Sequence, residues 1–83
     1  MGVNRRVLQL GLDSWEGDMT YRGITFMVEA MERRERGETG WSIEVLRKIG
    51  RHTVQPLFCA QGLTLEAALN GAERAIRRLV DGD

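Results

Sequence analysis

"ITFMVEAMERRERGETGWSIEVLRK", residues 24–48, decides the fold. Its first part alternates. Ile24, Phe26, Val28 and Ala30 fall on one face at period two, with Thr25, Met27, Glu29 and Met31 on the other. The β-branched and aromatic side chains suit a pleated surface. Its last part repeats the pattern, with Trp41, Ile43 and Val45 opposed to Ser42, Glu44 and Leu46. Between them "RRERGETG", residues 33–40, breaks the alternation with charge and glycine and reads as a long exposed hairpin loop. Two strands joined in this way lie antiparallel.

Towards the C-terminus, Ile49 and Gly50 mark a second turn. "HTVQPLFCA", residues 52–60, then offers Val54, Phe58 and Ala60 to one face and Gln55, Leu57 and Cys59 to the other. Pro56 has no N–H for a ladder, which predicts an edge strand or a bulge. "TLEAALNGAERAIRRLV", residues 64–80, has helical spacing. Thr64 suits the N-cap, Glu66 the first turn, Arg77 and Arg78 the last, and Gly82 the stop. Leu65, Leu69, Ala72, Ile76 and Leu79 form one stripe. Gly71 costs roughly 1 kcal/mol inside a helix. With Ala68, Ala72 and Ala75 it makes a narrow face for close approach. The stripe is expected to roof a sheet face of Ile24, Phe26, Val28, Trp41, Ile43, Val45, Val54 and Phe58.

Towards the N-terminus, Leu8, Leu10 and Leu12 alternate with Gln9 and Gly11, while "WEGD" reads as punctuation. Residues 1–20 are therefore expected to be an arm or one short strand, mobile in one reading. Residues 21–83 form the domain: α+β, a three-stranded antiparallel sheet with one C-terminal helix on one face, in the order β-β-β-α, with room for an extra N-terminal strand.

One helix covers one face. The opposite face would carry Met27, Met31, Leu46, Leu57 and Cys59, the candidate protein interface, covered either by the N-terminal arm or by a partner. The expected partner is a second copy, giving a homodimer, or another protein.

Twelve basic and twelve acidic side chains cancel, which disfavours a dedicated nucleic-acid binder. The alternative reading keeps an RNA- or DNA-binding module that uses the hairpin loop (Arg33, Arg34, Arg36) and the helix face (Arg74, Arg77, Arg78). Glu32, Glu35 and Glu38 interleave with the first group and mute it. One cysteine permits no internal disulfide and suits a reducing cytoplasm. No apolar run approaches the roughly 20 residues of a membrane span, so no membrane association is expected. The start "MGVNRRVLQLGLDSWEG" lacks the long apolar core of a signal peptide.

Chemistry finds little purchase. His52 and Cys59 are single residues of their types, on opposite faces of a regular strand, and no CxxC or HxxxH spacing exists. Glu29 and Glu44 could lie opposite each other on neighbouring strands, where solvated surface charge is the simpler reading than a split-pKa pair. "RGETG" lacks the lysine and spacing of a phosphate loop. The chain is expected to be non-catalytic, with no cofactor and no metal.

"AQGLTLEAALNGAERAI", residues 60–76, resembles the closing strand and helix of HicB-type antitoxins, with Gln61, Gly62, Thr64, Glu66, Ala68, Leu69, Asn70, Glu73 and Ile76 in step and one extra residue, Leu63. The resemblance implies a β-β-β-α fold and a protein that neutralises a small RNase by covering it. The family's Pro-Asp-x-Pro-Gly turn is replaced here by "IGRHTVQPLF", and no DNA-binding extension follows Asp83. Residues 21–80 are also similar to small bacterial β-β-β-α proteins without an assigned activity, through Tyr21, Gly23 and the helix alanines Ala67, Ala68, Ala72 and Ala75.

Overall fold

The computed structural model describes residues 2–82. Five strands, β1 (Asn4–Gln9), β2 (Ser14–Tyr21), β3 (Ile24–Glu35), β4 (Glu38–Lys48) and β5 (Val54–Gly62), precede one helix, α1 (Leu65–Asp81). Each strand pairs antiparallel with its sequence neighbour, so the sheet order is β1-β2-β3-β4-β5. The class is α+β, but the expected three-stranded sheet is corrected to five.

The added strands, β1 and β2, occupy residues 4–21, so the boundary expected at residue 21 falls inside the sheet. In β2, Trp15, Gly17, Met19 and Tyr21 alternate with Glu16, Asp18 and Thr20. Gly17 occupies an inward position, and with Asp18 beside it the alternation looks like a turn. Met19 and Tyr21 are core residues. The arm therefore extends the sheet rather than roofing its free face: Trp15 packs against the core and Leu12 lies 94% exposed in the β1–β2 turn.

The long loop expected at residues 33–40 is also corrected. β3 runs to Glu35 and β4 starts at Glu38, leaving Arg36-Gly37 as the turn. Arg36 (φ 52°) and Gly37 (φ 78°) are both left-handed, and Arg22 (φ 51°) and Gly23 (φ 78°) repeat the arrangement between β2 and β3. Positive φ at both central residues is the turn whose twist matches that of a hairpin. Backbone ladder bonds form regardless of side-chain polarity, so the charged ends of β3 and β4 pair as strand. Pro56 sits on the edge strand β5, next to the register shift opposite Val45 and Leu46. Both readings of the proline hold.

The core lies between the sheet and α1, with Phe26, Val28, Ala30, Ile43 and Val45 beneath Ala68, Leu69, Ala72 and Ile76. Trp41, Phe58 and Leu65 pack at its margin, but Ile24 and Val54 are exposed. Leu79 leaves the stripe: it is 53% exposed and borders a shallow groove with Phe58 and Ala75, where the sheet ends at β5. Val80 packs against the core in the same turn. The Thr64 hydroxyl accepts the Ala67 N–H at 3.1 Å, and the Gly82 N–H donates to the Arg78 carbonyl.

Polar contacts fix the roof at both ends. Arg5 of β1 donates to Glu73, to Glu66 (2.9 Å) and to Asn70 of α1. The Glu73 bond raises the pKa of Arg5 against the opposing effect of burial, and Glu66 adds to the rise. At the far end the Tyr21 hydroxyl donates to Asp81 Oδ2 at 2.8 Å, and Arg22 pairs with Asp81 Oδ1 at 3.2 Å. Glu66, Asn70 and Glu73 are among the residues that carry the antitoxin resemblance. In this chain they clamp the first strand to the helix.

Candidate functional site

The helix roofs one face and leaves the other open. On the open face the register lines up side chains from all five strands into rows. One row reads Leu8, Glu16, Glu29, Glu44, Cys59. Three glutamates on three adjacent strands thus stand directly opposite one another. Neighbouring strands lie about 4.8 Å apart, so the carboxylate row is roughly 10 Å long. None of the three takes part in an ion pair with the described residues. Like charges placed directly across a ladder destabilise a sheet.

Apolar side chains flank the row on β3 to β5. On one side Met27 stands opposite Leu46, which stands opposite Pro56, and the same row continues through Asp18 to Arg6 on β2 and β1. On the other, Met31 is 66% exposed between Ser14 and Ser42. Leu8 and Leu10 are exposed at the β1 end. A hollow of about 380 Å³ is bordered by Leu10, Glu16, Glu29, Met31, Glu44 and Cys59, with Arg33, held by Glu35, at its rim. A second, near Leu8, Asp18 and Met27, shares Leu10 and Glu16 with it.

The expected interface residues divide. Met27, Met31, Leu46 and Cys59 share the open face, where Leu46 is already 6% exposed among its neighbours. Leu57 does not join them. It falls at the bulge and packs with Phe58 against the core. The glutamate row was half legible: the Glu29–Glu44 pairing follows from the hairpin, but Glu16 enters only once residues 14–21 are recognised as strand.

The candidate nucleic-acid residues are split between opposite ends of the sheet. Arg33, Arg34 and Arg36 belong to the β3–β4 hairpin, where Arg33 bonds Glu35 at 2.7 Å and Arg34 pairs with Glu32 at 3.6 Å. Arg74, Arg77 and Arg78 are exposed on the C-terminal half of α1. That half ends beside Tyr21, whereas the helix begins against Gly62, the register partner of Trp41 near the β3–β4 end.

His52 is exposed in the bend before β5, outside the ladder, and Cys59 is exposed beside Glu44. Among the described residues no group of three or more His, Cys, Asp or Glu side chains is placed to hold a metal ion. No helix among them is long and apolar enough to cross a membrane. No family model, curated protein or solved structure matches the chain.

Proposed function

We propose that this protein is a non-catalytic interaction module that holds a protein partner on the open face of its sheet. One observation carries the reading: the face opposite the helix presents exposed Met31, Leu8 and Leu10 around a carboxylate row, and no element among the described residues covers it. Methionine-rich surfaces adapt to partners, and contiguous exposed apolar patches mark contact sites. The antitoxin resemblance agrees in kind, since such proteins act by covering another protein. A homodimer formed face to face on a two-fold axis is the weaker option, because it sets each glutamate row against its own copy. The arginines offer nucleic acid no single surface. The exposed lone thiol of Cys59 fits the reducing cytoplasm as the working compartment.

Cys59 also supplies the test. A maleimide photo-crosslinker placed there, in extracts of the native cell, should trap a discrete partner or a second copy. The same reagent on the helix, in a Cys59→Ser/Arg77→Cys chain, should trap neither. Equal trapping from both positions, or none from Cys59, rejects the open face as the contact.

A further inference from the structure

We infer that the partner seated on the open face is a cationic amphipathic helix, lying across the strands with a line of Lys or Arg on the Glu16–Glu29–Glu44 row and apolar residues to either side. This rests on the preceding reading and names the chemistry of its partner.

The face has three parallel rows of different chemistry. The central row is acidic. The row on one side reads Arg6, Asp18, Met27, Leu46, Pro56, charged at β1 and β2 and apolar from β3 to β5, and the row on the other holds Met31 between Ser14 and Ser42. Rows on one face of a strand recur every two residues, about 7 Å apart. A helix is about 10 Å wide with its side chains. Laid along the central row, it covers that row and reaches both flanks.

The spacing along the row also fits. The carboxylates repeat at about 4.8 Å, the distance between strands. Side chains at i and i+4 of a helix stand roughly 5–6 Å apart. Basic residues at i, i+4 and i+7 therefore meet the three glutamates in turn. Five strands are about 20 Å wide, the length of roughly 13 helical residues.

Charge supplies the direction of choice. The three carboxylates repel one another in the free protein and have no partner among the described residues. A cationic helix relieves that repulsion. An acidic helix, a nucleic acid or the same face of a second copy adds to it. The carboxylates are strung across three strands and are not gathered around a point, which matches charges distributed along a segment rather than a single ion.

The test uses the full chain and a synthetic 16-residue helical peptide with Lys at i, i+4 and i+7 between leucines. A charge-reversed peptide, with Glu in place of Lys, and an RNA hairpin serve as the other arms. The Lys peptide should bind, should shift backbone amide resonances in β2, β3 and β4 around the row, and should weaken as salt rises. The isosteric variant E16Q/E29Q/E44Q should lose about tenfold in affinity, the combined effect of three exposed ion pairs. Its urea midpoint should stay at or above that of the native chain, because neutralisation removes repulsion; the double variant E29Q/E44Q provides the same readout with fewer changes. Absence of binding, equal binding of the charge-reversed peptide, undiminished binding by the triple variant, resonance shifts confined to α1, or RNA occupying the face would each overturn the inference. So would a dimer that survives both high salt and the triple substitution. If Cys59 still traps a partner while the Lys peptide is ignored, only the cationic assignment fails. If neither result appears, the interaction reading fails with it.

Discussion

Ile43 and Glu44 are neighbours in β4 that face opposite ways. Ile43 is completely buried beneath the helix, between Ala30 and Ala60 in the register. Glu44 looks out from the other face, between Glu29 and Cys59. The roofed face is governed by packing, where every side chain must fit its neighbours. The open face carries a like-charge row, an arrangement that destabilises a sheet in general. On the proposed reading, that row serves a contact outside the fold.

That contrast can be broken from either side. Ile43→Ala leaves a cavity under α1 and is expected to lower unfolding free energy by about 2–5 kcal/mol, read by urea denaturation. A loss below about 1 kcal/mol would mean that the helix does not press on this strand. Gly62→Ala should cost about 2 kcal/mol. A Cβ there would lie 2.6 Å from the Ala68 backbone nitrogen, forcing the first turn of α1 off the sheet. Gly71→Ala is the matched control, since its Cβ would meet Ala60 Cβ at 3.7 Å and the flexible Arg74 Nη2 at 3.9 Å, both ordinary contacts. That change should stabilise by roughly 0.5–1 kcal/mol through helix propensity.

Replacing Arg5 by Met removes the clamp between β1 and α1 and should cost about 1–2 kcal/mol, since charge-assisted bonds are lost and Glu73 is half-buried. The sign of its pH dependence follows from the raised pKa of Arg5. The stability it contributes is fully present below the ordinary arginine value and is lost only as pH rises through the raised one. The Arg5→Met deficit should thus be constant from neutral to moderately alkaline pH in thermal melts.

The smallest effect has the opposite sign and sharpens the comparison most. E29Q/E44Q should raise stability by about 0.3–1 kcal/mol at low salt, and the gain should shrink as salt screens the repulsion in the native chain. Destabilisation by this pair would show that the open-face glutamates hold the sheet together, and the contrast between the faces would dissolve.

Several elements are legible in the sequence. The Thr64 cap, the Leu69–Ala72–Ile76 stripe and the alternation of Phe26, Val28, Ile43 and Val45 are local patterns, and each falls where its period places it. Pro56 called for an edge position or a bulge, and β5 has both. The errors also have local causes. Gly17 and Asp18 masked β2 because glycine at an inward strand position looks like a turn. In β2 that glycine is needed: a Cβ would sit 1.9 Å from the Arg6 carbonyl oxygen where β1 crosses. The charged run at 33–39 hid the ends of β3 and β4, since its ladder carries no apolar alternation.

The sequence by itself settled the inward faces of the middle of β3 and β4 and where the helix begins, because side-chain period and capping act over a few neighbouring residues. Only the tertiary structure decided that Glu16, Glu29 and Glu44 stand in one line, and that Glu66, Asn70 and Glu73 serve Arg5. Register depends on the length of every turn between strands, and a slip of one residue at Arg22-Gly23 or Arg36-Gly37 would turn a strand's side chains to the other face. Such alignments are sums over distant parts of the chain, and no local pattern contains them.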